Sequence, residues 1–358
     1  MRWLYLPNEV SEGDQVGPRQ AFERLREQGV FQGYVAYSYL VRARALGSHE
    51  AALQDWLERA RDFAPTVIFA QHLNGSYPLT RAFLRELKDL PSRPKFVLYE
   101  EDPFGRLVKQ LDSTIKTALA ESDMAFLGGT GYLARDAIAA GCRRLRWAPH
   151  SYDSVRFGTS WTPTLTREFD AVMIGNLACL KRIPWLYMPG GAKRKKTARM
   201  LYRALGNRFA VFGAGQGWQG EPYCRGKIPF ARQGAVIRNS WMSVNWGQFD
   251  RIAMYSSDRL PISMACGVPH ITNYQPGYEH VFNGVPGVYF VKTPHDAVDA
   301  ALHILSLTPV QRNDLGERAA AYAREHLEAS VVYANIVAVI RAELFGLCDW
   351  RSTSKDCA

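Results

Sequence analysis

Three groups of residues have the types and spacing to do chemistry. His72 follows the apolar run TVIFAQ at 66–71, and Glu100, Glu101 and Asp102 follow KFVLY at 95–99. An imidazole or a carboxylate at a strand end can take a proton from a hydroxyl, a general-base task that suits either. Three adjacent acids cannot all point one way, so at least one is expected to be solvated or to cap the next turn. The second group is FGAGQGW at 212–218, where Gly213, Gly215 and Gly217 let backbone N–H groups approach a ligand. Gly175 ends an earlier apolar run, Arg259 precedes an apolar helical pattern, and Pro276-Gly277 opens another. Glycine turns, helix starts and arginine are what hold phosphate groups. A GxGxG run alone equally marks an ordinary tight turn between strand and helix.

The third group is electrostatic. Of 44 basic and 34 acidic side chains, residues 161–250 hold 14 and 4, so this stretch accounts for the whole net charge of +10. Lys181, Arg182, Lys193, Arg194, Lys195, Lys196, Arg199 and Arg203 occur there without one intervening acid. A solvated helix face usually mixes both signs. The block therefore suits a polyanionic ligand or surface, although a basic face that keeps the chain soluble has the same appearance.

The elements that must position these groups alternate between strand and helix. Strands are expected at 1–7, 30–37, 66–71, 95–99, 124–128 and 144–148, and helices at 18–28, 50–62, 79–90, 109–121 and 133–140. A Ser/Thr/Pro-rich stretch then loses periodicity and reads as a linker at 156–166. The pattern restarts with strands at 169–174, 209–212, 269–272 and 288–290, further apolar segments at 236–238 and 241–246, and helices at 197–205, 260–266, 277–282, 296–306 and 309–326. This rhythm implies parallel, doubly wound sheets in an α/β chain. The length of 358 residues suits two domains, at 1–155 and 167–330, with a C-terminal helix and tail at 331–358.

The stretch 245–290 contains Arg-Leu, then Ala-Cys-Gly-Val-Pro, a strand, Pro-Gly-x-Glu and a Phe. In that order it resembles the donor-binding stretch of GT-B glycosyltransferases, closest to the group related to spore-maturation glycosyltransferase-like proteins. FGAGQGW resembles that group's glycine turn, Glu101-Asp102-Pro103 its Asp-Pro turn, and 309–327 its C-terminal tail. The resemblance implies two Rossmann-like domains facing each other across a cleft, the first for an acceptor and the second for a nucleotide-diphosphate sugar. It implies a histidine near the sugar at His72 and a phosphate-binding base at Arg182. Retaining members carry two glutamates where this chain has Met254 and Ile262, so either Asp258 or Glu279 holds the ribose or donor binding is altered.

The expected activity is transfer of a sugar from a nucleotide-diphosphate sugar to an acceptor hydroxyl, with no bound cofactor or metal. Two alternatives are a phage-type DNA glycosyltransferase acting on a hydroxymethylated base, and a non-catalytic sugar-nucleotide-binding protein. Lys193, Arg194, Lys195, Lys196 and Arg199 would grip a polyanion, DNA ahead of anionic lipid, because no long apolar face accompanies them. No run approaches the roughly 18 apolar residues of a membrane span. Cys142, Cys179, Cys224, Cys266, Cys348 and Cys357 form no CxxC pair, and read as reduced, mostly buried thiols of a cytoplasmic protein.

Overall fold

A computed structural model of the chain describes residues 1–73, 75–105, 108–158, 163–180, 183 and 186–351. The chain divides into two compact units: Met1–Pro149 together with residues 329–351, and His150–Glu328. Each is a parallel α/β unit of Rossmann type.

The first unit has strands β1 (Arg2–Leu6), β2 (Gly33–Ala36), β3 (Val67–Gln71), β4 (Lys95–Glu100), β5 (Met124–Leu127) and β6 (Leu145–Trp147), paired in the order β2-β1-β3-β4-β5-β6. Helices α1 (Val16–Glu27), α2 (Tyr39–Ala45), α3 (His49–Phe63), α4 (Arg81–Lys88), α5 (Ser113–Glu121) and α6 (Tyr132–Ala139) connect them. Every pairing is parallel, so both faces must be covered, and the strands accordingly read as continuous apolar runs. Two short helices take their starts from side-chain caps: Thr80 Oγ1 accepts from Phe83 N, and Asp112 Oδ1 from Ile115 N.

The second unit has β7 (Phe169–Ile174), β8 (Phe209–Phe212), β9 (Ser240–Asn245), β10 (His270–Asn273) and β11 (Val288–Val291), in the order β11-β10-β9-β7-β8. Its helices are α7 (Ser154–Phe157), α8 (Gly191–Leu205), α9 (Gln233–Arg238), α10 (Arg259–Ala265), α11 (Tyr278–Val281), α12 (Pro294–Ser306) and α13 (Pro309–His326). Capping boxes at Thr293/Asp296 and Thr308/Gln311, each followed by proline, fix the starts of α12 and α13.

After α13 the chain returns to the first unit as α14 (Ala329–Phe345), where Tyr333, Ile336, Val337 and Ile340 join the core of Trp3, Tyr5, Phe22 and Phe69. Phe157, within the stretch read as a linker, is fully buried in the core of the second unit beside Ile262 and Met264; residues 159–162 of that stretch lie outside the described residues. The cysteines depart from expectation. Among the described residues only Cys142 and Cys266 are buried; Cys348 is exposed, and Cys179 and Cys224 are half-buried, Cys224 against the core of the second unit. Cys357 lies outside the described residues. Among the described residues, no helix is long and apolar enough to cross a membrane.

Candidate functional site

Both sheets reverse their strand order beside their first strand, between β1 and β3 and between β7 and β9. The loops after these two strands leave on opposite faces, and the crevice they open is where such sheets bind ligands. In each unit, polar side chains gather there.

In the first unit, His72 comes directly after β3 with φ of 49°, a left-handed conformation that a β-substituted residue adopts only when its surroundings impose it. His72 N donates to Tyr99 O at 2.7 Å, which turns the ring toward the end of β4. Its Nδ1 stands 2.6 Å from Glu100 Oε1, which also accepts from Asp102 N at 3.0 Å. Glu100 is 1% exposed, and its Oε2 has no hydrogen-bond partner among the described residues. Burial disfavours charge on His72, but the Glu100 carboxylate and its hydrogen bond, with Asp102 and Glu101 nearby, outweigh it and push the imidazole up to about 9. Burial also raises Glu100. The pair therefore keeps a proton across neutral pH.

His72 Nε2 is 3.8 Å from Asp102 Oδ2, too far for a hydrogen bond, and Asp102 is paired with Lys109 at 2.7 Å. Glu101 accepts from Gln71 Nε2 at 2.6 Å, while Gln71 Oε1 accepts from the Tyr5 hydroxyl. The three acids thus separate as expected: Glu100 inward, Glu101 on a neighbouring side chain, Asp102 half-exposed. The buried Glu100 carboxylate favours the protonated imidazole, in which neither ring nitrogen of His72 is an acceptor. The supporting pair of Tyr5 and Gln71 was missed, and the alternation of β1 and β3, which places both at strand ends, carries the only signal for them.

In the second unit, the glycine turn packs against the loop after β7. A Cβ on Gly213 would collide with Gly175 O, and Cβ atoms on Gly215 and Gly217 would collide with Leu177. Gly213 N donates to Gly226 O at 2.9 Å, Ala214 N to Asn176 Oδ1 at 2.8 Å, and Gly217 N to Leu177 O at 2.9 Å. Trp218 Nε1 donates to Gly175 O at 2.8 Å. These glycines were expected to admit a ligand; they admit the neighbouring loop, and the N–H groups of Gly213 and Gly217 are engaged within the chain.

Arg259 opens α10 and donates from Nε to Ile174 O at 2.6 Å and from Nη1 to Asp258 Oδ1 at 3.2 Å. Its side chain is half-buried. Arg194 was expected on a basic surface, but it is 3% exposed and turns inward, donating from Nε to Trp246 O and from Nη1 to Asn176 O, both at 2.6 Å. Arg194, Thr197, Ala198 and Leu201 form the buried stripe of α8, so the helical period carried the signal that the charge count hid.

The other basic residues of α8 stay outside. Lys193 pairs with Asp250 at 2.6 Å, and Lys195 and Arg199 share Glu221 at 3.1 and 2.7 Å. Acids distant in sequence therefore offset much of a block that looked unopposed. Lys195, Lys196, Arg199, Arg203 and His295 line an open surface pocket of about 610 Å³. Arg182 lies outside the described residues.

Gly277 has φ of 87° and precedes only the four-residue α11, while Glu279 accepts from the Tyr274 hydroxyl at 2.8 Å. Pro276 O accepts from Met254 N at 2.7 Å. Ile262 is 2% exposed in the core, so its position offers no carboxylate to a ligand. Among the described residues, no three His, Cys, Asp or Glu side chains gather as a metal site would require.

Residues 194–342 match a family model described as glycosyl transferase-like. A search of curated proteins finds no match. The fold is that of the GT-B glycosyltransferases. Sucrose-phosphate synthase from Thermosynechococcus elongatus superposes with a TM-score of 0.59 at 13% identity, covering 97% of this chain and 100% of that one. Alpha,alpha-trehalose 6-phosphate synthase from Burkholderia multivorans gives 0.60 at 13% identity, with 96% and 97% covered. Anabaena Alr3699/HepE, in complex with UDP and glucose, gives 0.57 at 12% identity, with 96% and 100% covered.

Proposed function

We propose that the chain is a glycosyltransferase of the group 1 type that moves a sugar from a nucleotide-diphosphate sugar to an acceptor hydroxyl. The observation that carries the reading is the position of Arg259 and Gly175 at the switch point of the second sheet, within a chain whose residues 194–342 match a glycosyl transferase-like family. HepE, which shares the fold, was crystallised with UDP-glucose, and that supports a nucleotide sugar as co-substrate here.

In this reading the second unit binds the donor, with Arg259 on its diphosphate. The first unit serves the acceptor. The acceptor oxygen bonds to the sugar as the bond from sugar to diphosphate breaks, the nucleoside diphosphate leaves with the bonding pair, and the acceptor proton goes to a base. Asp102, the half-exposed carboxylate, is assigned that role, and the proton-bearing His72–Glu100 pair offers Nε2–H to a substrate oxygen. Cys142, Cys224 and Cys266 are thiols rather than disulfides, in keeping with a reducing, cytoplasmic setting.

A panel of UDP, GDP, TDP and CDP sugars tests the assignment. At least one is expected to release its nucleoside diphosphate, faster when an acceptor is added. Binding without turnover would make the chain a sugar-nucleotide-binding protein, and neither binding nor turnover would overturn the reading. Asp102→Asn should slow transfer by about 10²–10⁴ with donor affinity little changed.

A further inference from the structure

We infer that the outer face of α8, with the start of α12, forms a second anion site that takes a small molecule carrying two or more phosphate groups. Lys195, Lys196, Arg199 and Arg203 of α8 line a pocket of about 610 Å³ together with His295, near the start of α12. At about 100° per residue, these four positions centre on the side of α8 away from Arg194, Thr197, Ala198 and Leu201, which are buried. The pocket is therefore separate from Arg194 and Arg259, and it does not depend on the transferase reading.

This charge works against the helix that carries it. α8 contains no acid, and Lys193 and Arg194 stand in its first turn, where the helix dipole disfavours cations. Lys195 and Arg199 are one turn apart, as are Arg199 and Arg203, and like charges at that spacing repel. Glu221 answers only Lys195 and Arg199, at 3.1 and 2.7 Å. Lys196 and Arg203 are exposed and form no ion pair among the described residues. Asp296 of α12 is occupied in that helix's own cap. A face that served solubility alone would mix both signs. Cations about 5–6 Å apart on adjacent turns can each take a phosphate group of one ligand, and guanidinium forks match phosphate oxygens. Tyr187 and Met200, both half-buried in the same pocket, supply apolar surface for the body of an organic phosphate. The neighbouring acids set the size of the ligand. Asp250 takes Lys193 at 2.6 Å, and Glu221 takes its two cations, so the unopposed charge extends over one pocket only. Gripping a duplex uses roughly 6–10 phosphate contacts, more than this face offers.

The test is a titration of the full chain, methyl-labelled at methionine, with inorganic tripolyphosphate, followed by NMR. The Met200 methyl signal, assigned with Met200→Leu, reads this pocket whatever binds elsewhere on the chain. It should shift and saturate. In the double variant Lys196→Gln/Arg203→Gln, saturation should need about tenfold more tripolyphosphate, or beyond. Neither side chain is held in an ion pair, so this variant should melt at or above the wild-type temperature. A Met200 signal that tripolyphosphate leaves unmoved overturns the inference, and so does undiminished affinity in the double variant. Duplex DNA and phosphatidylglycerol vesicles, each titrated in place of tripolyphosphate, are the other arms. A Met200 shift produced by either of these and not by tripolyphosphate also overturns it, because the face would then belong to a polymer or a membrane surface.

Discussion

His72 and Glu100 differ in what the chain demands of them. Glu100 ends β4, where alternation turns it into the interior, and a buried carboxylate needs a proton or a cation. His72 supplies it at 2.6 Å. The imidazole is raised above its unfolded value of about 6.5 to about 9, so its contribution to stability is complete below the unfolded value and is lost as pH rises through about 9. Heteronuclear NMR of the ring nitrogens should place its midpoint near 9, and Glu100→Gln should bring it down to or below the ordinary value. A midpoint near 6.5 in the wild type would remove the proton-bearing pair from the mechanism. The residues themselves stand out in the sequence, since a histidine and three acids close two apolar runs. Their protonation does not, because it depends on a distance across two strands 28 residues apart in the chain.

At the scale of elements, apolar runs and turn residues located the strands that position both groups. β7, β8 and α13 have the expected limits, because each is bounded by residues that stop its pattern, as the threonine–proline start does for α13. α2 was not expected; it is a seven-residue helix with Tyr39 and Ala43 buried, too short to establish a period. α8 was read by its charge, whereas its buried stripe includes an arginine. The glycine turn shows the same limit of local reading. Its glycines are legible as a turn, but what they approach is a loop from another strand. Gly213→Ala is therefore predicted to force the loop after β7 away from β8, costing about 1–3 kcal/mol or more. Chemical denaturation of this variant beside Gly175→Ala, whose methyl group would meet only ordinary van der Waals contacts and should be near neutral, measures the contrast. Equal stabilities would show that the two loops are not held in contact.

For the whole molecule, the order of the chain and the composition of its units differ. Residues 150–328 form the second unit without interruption, whereas the first is completed only by α14, after the chain has passed through the second. Nothing local in the sequence of α14 announces this, since an apolar helix can cover any apolar face. The core shows how much depends on it: Tyr333, Ile336, Val337 and Ile340 are each 2% exposed or less, packed with Phe22, Phe69 and Tyr99. At about 1.5–3 kcal/mol for each buried large apolar side chain, these four alone are worth about 6–12 kcal/mol. That is the size of a typical domain's entire stability, about 5–15 kcal/mol. A fragment of residues 150–328 should accordingly melt cooperatively by itself. A fragment of residues 1–149 should show a poorly dispersed amide spectrum, because the face of its sheet that α14 covers would be open to water. Adding a peptide of residues 329–351 should restore dispersion to it. A well-dispersed spectrum for residues 1–149 alone would mean that the first core closes without α14, and that the return of the chain is not what holds the first unit together.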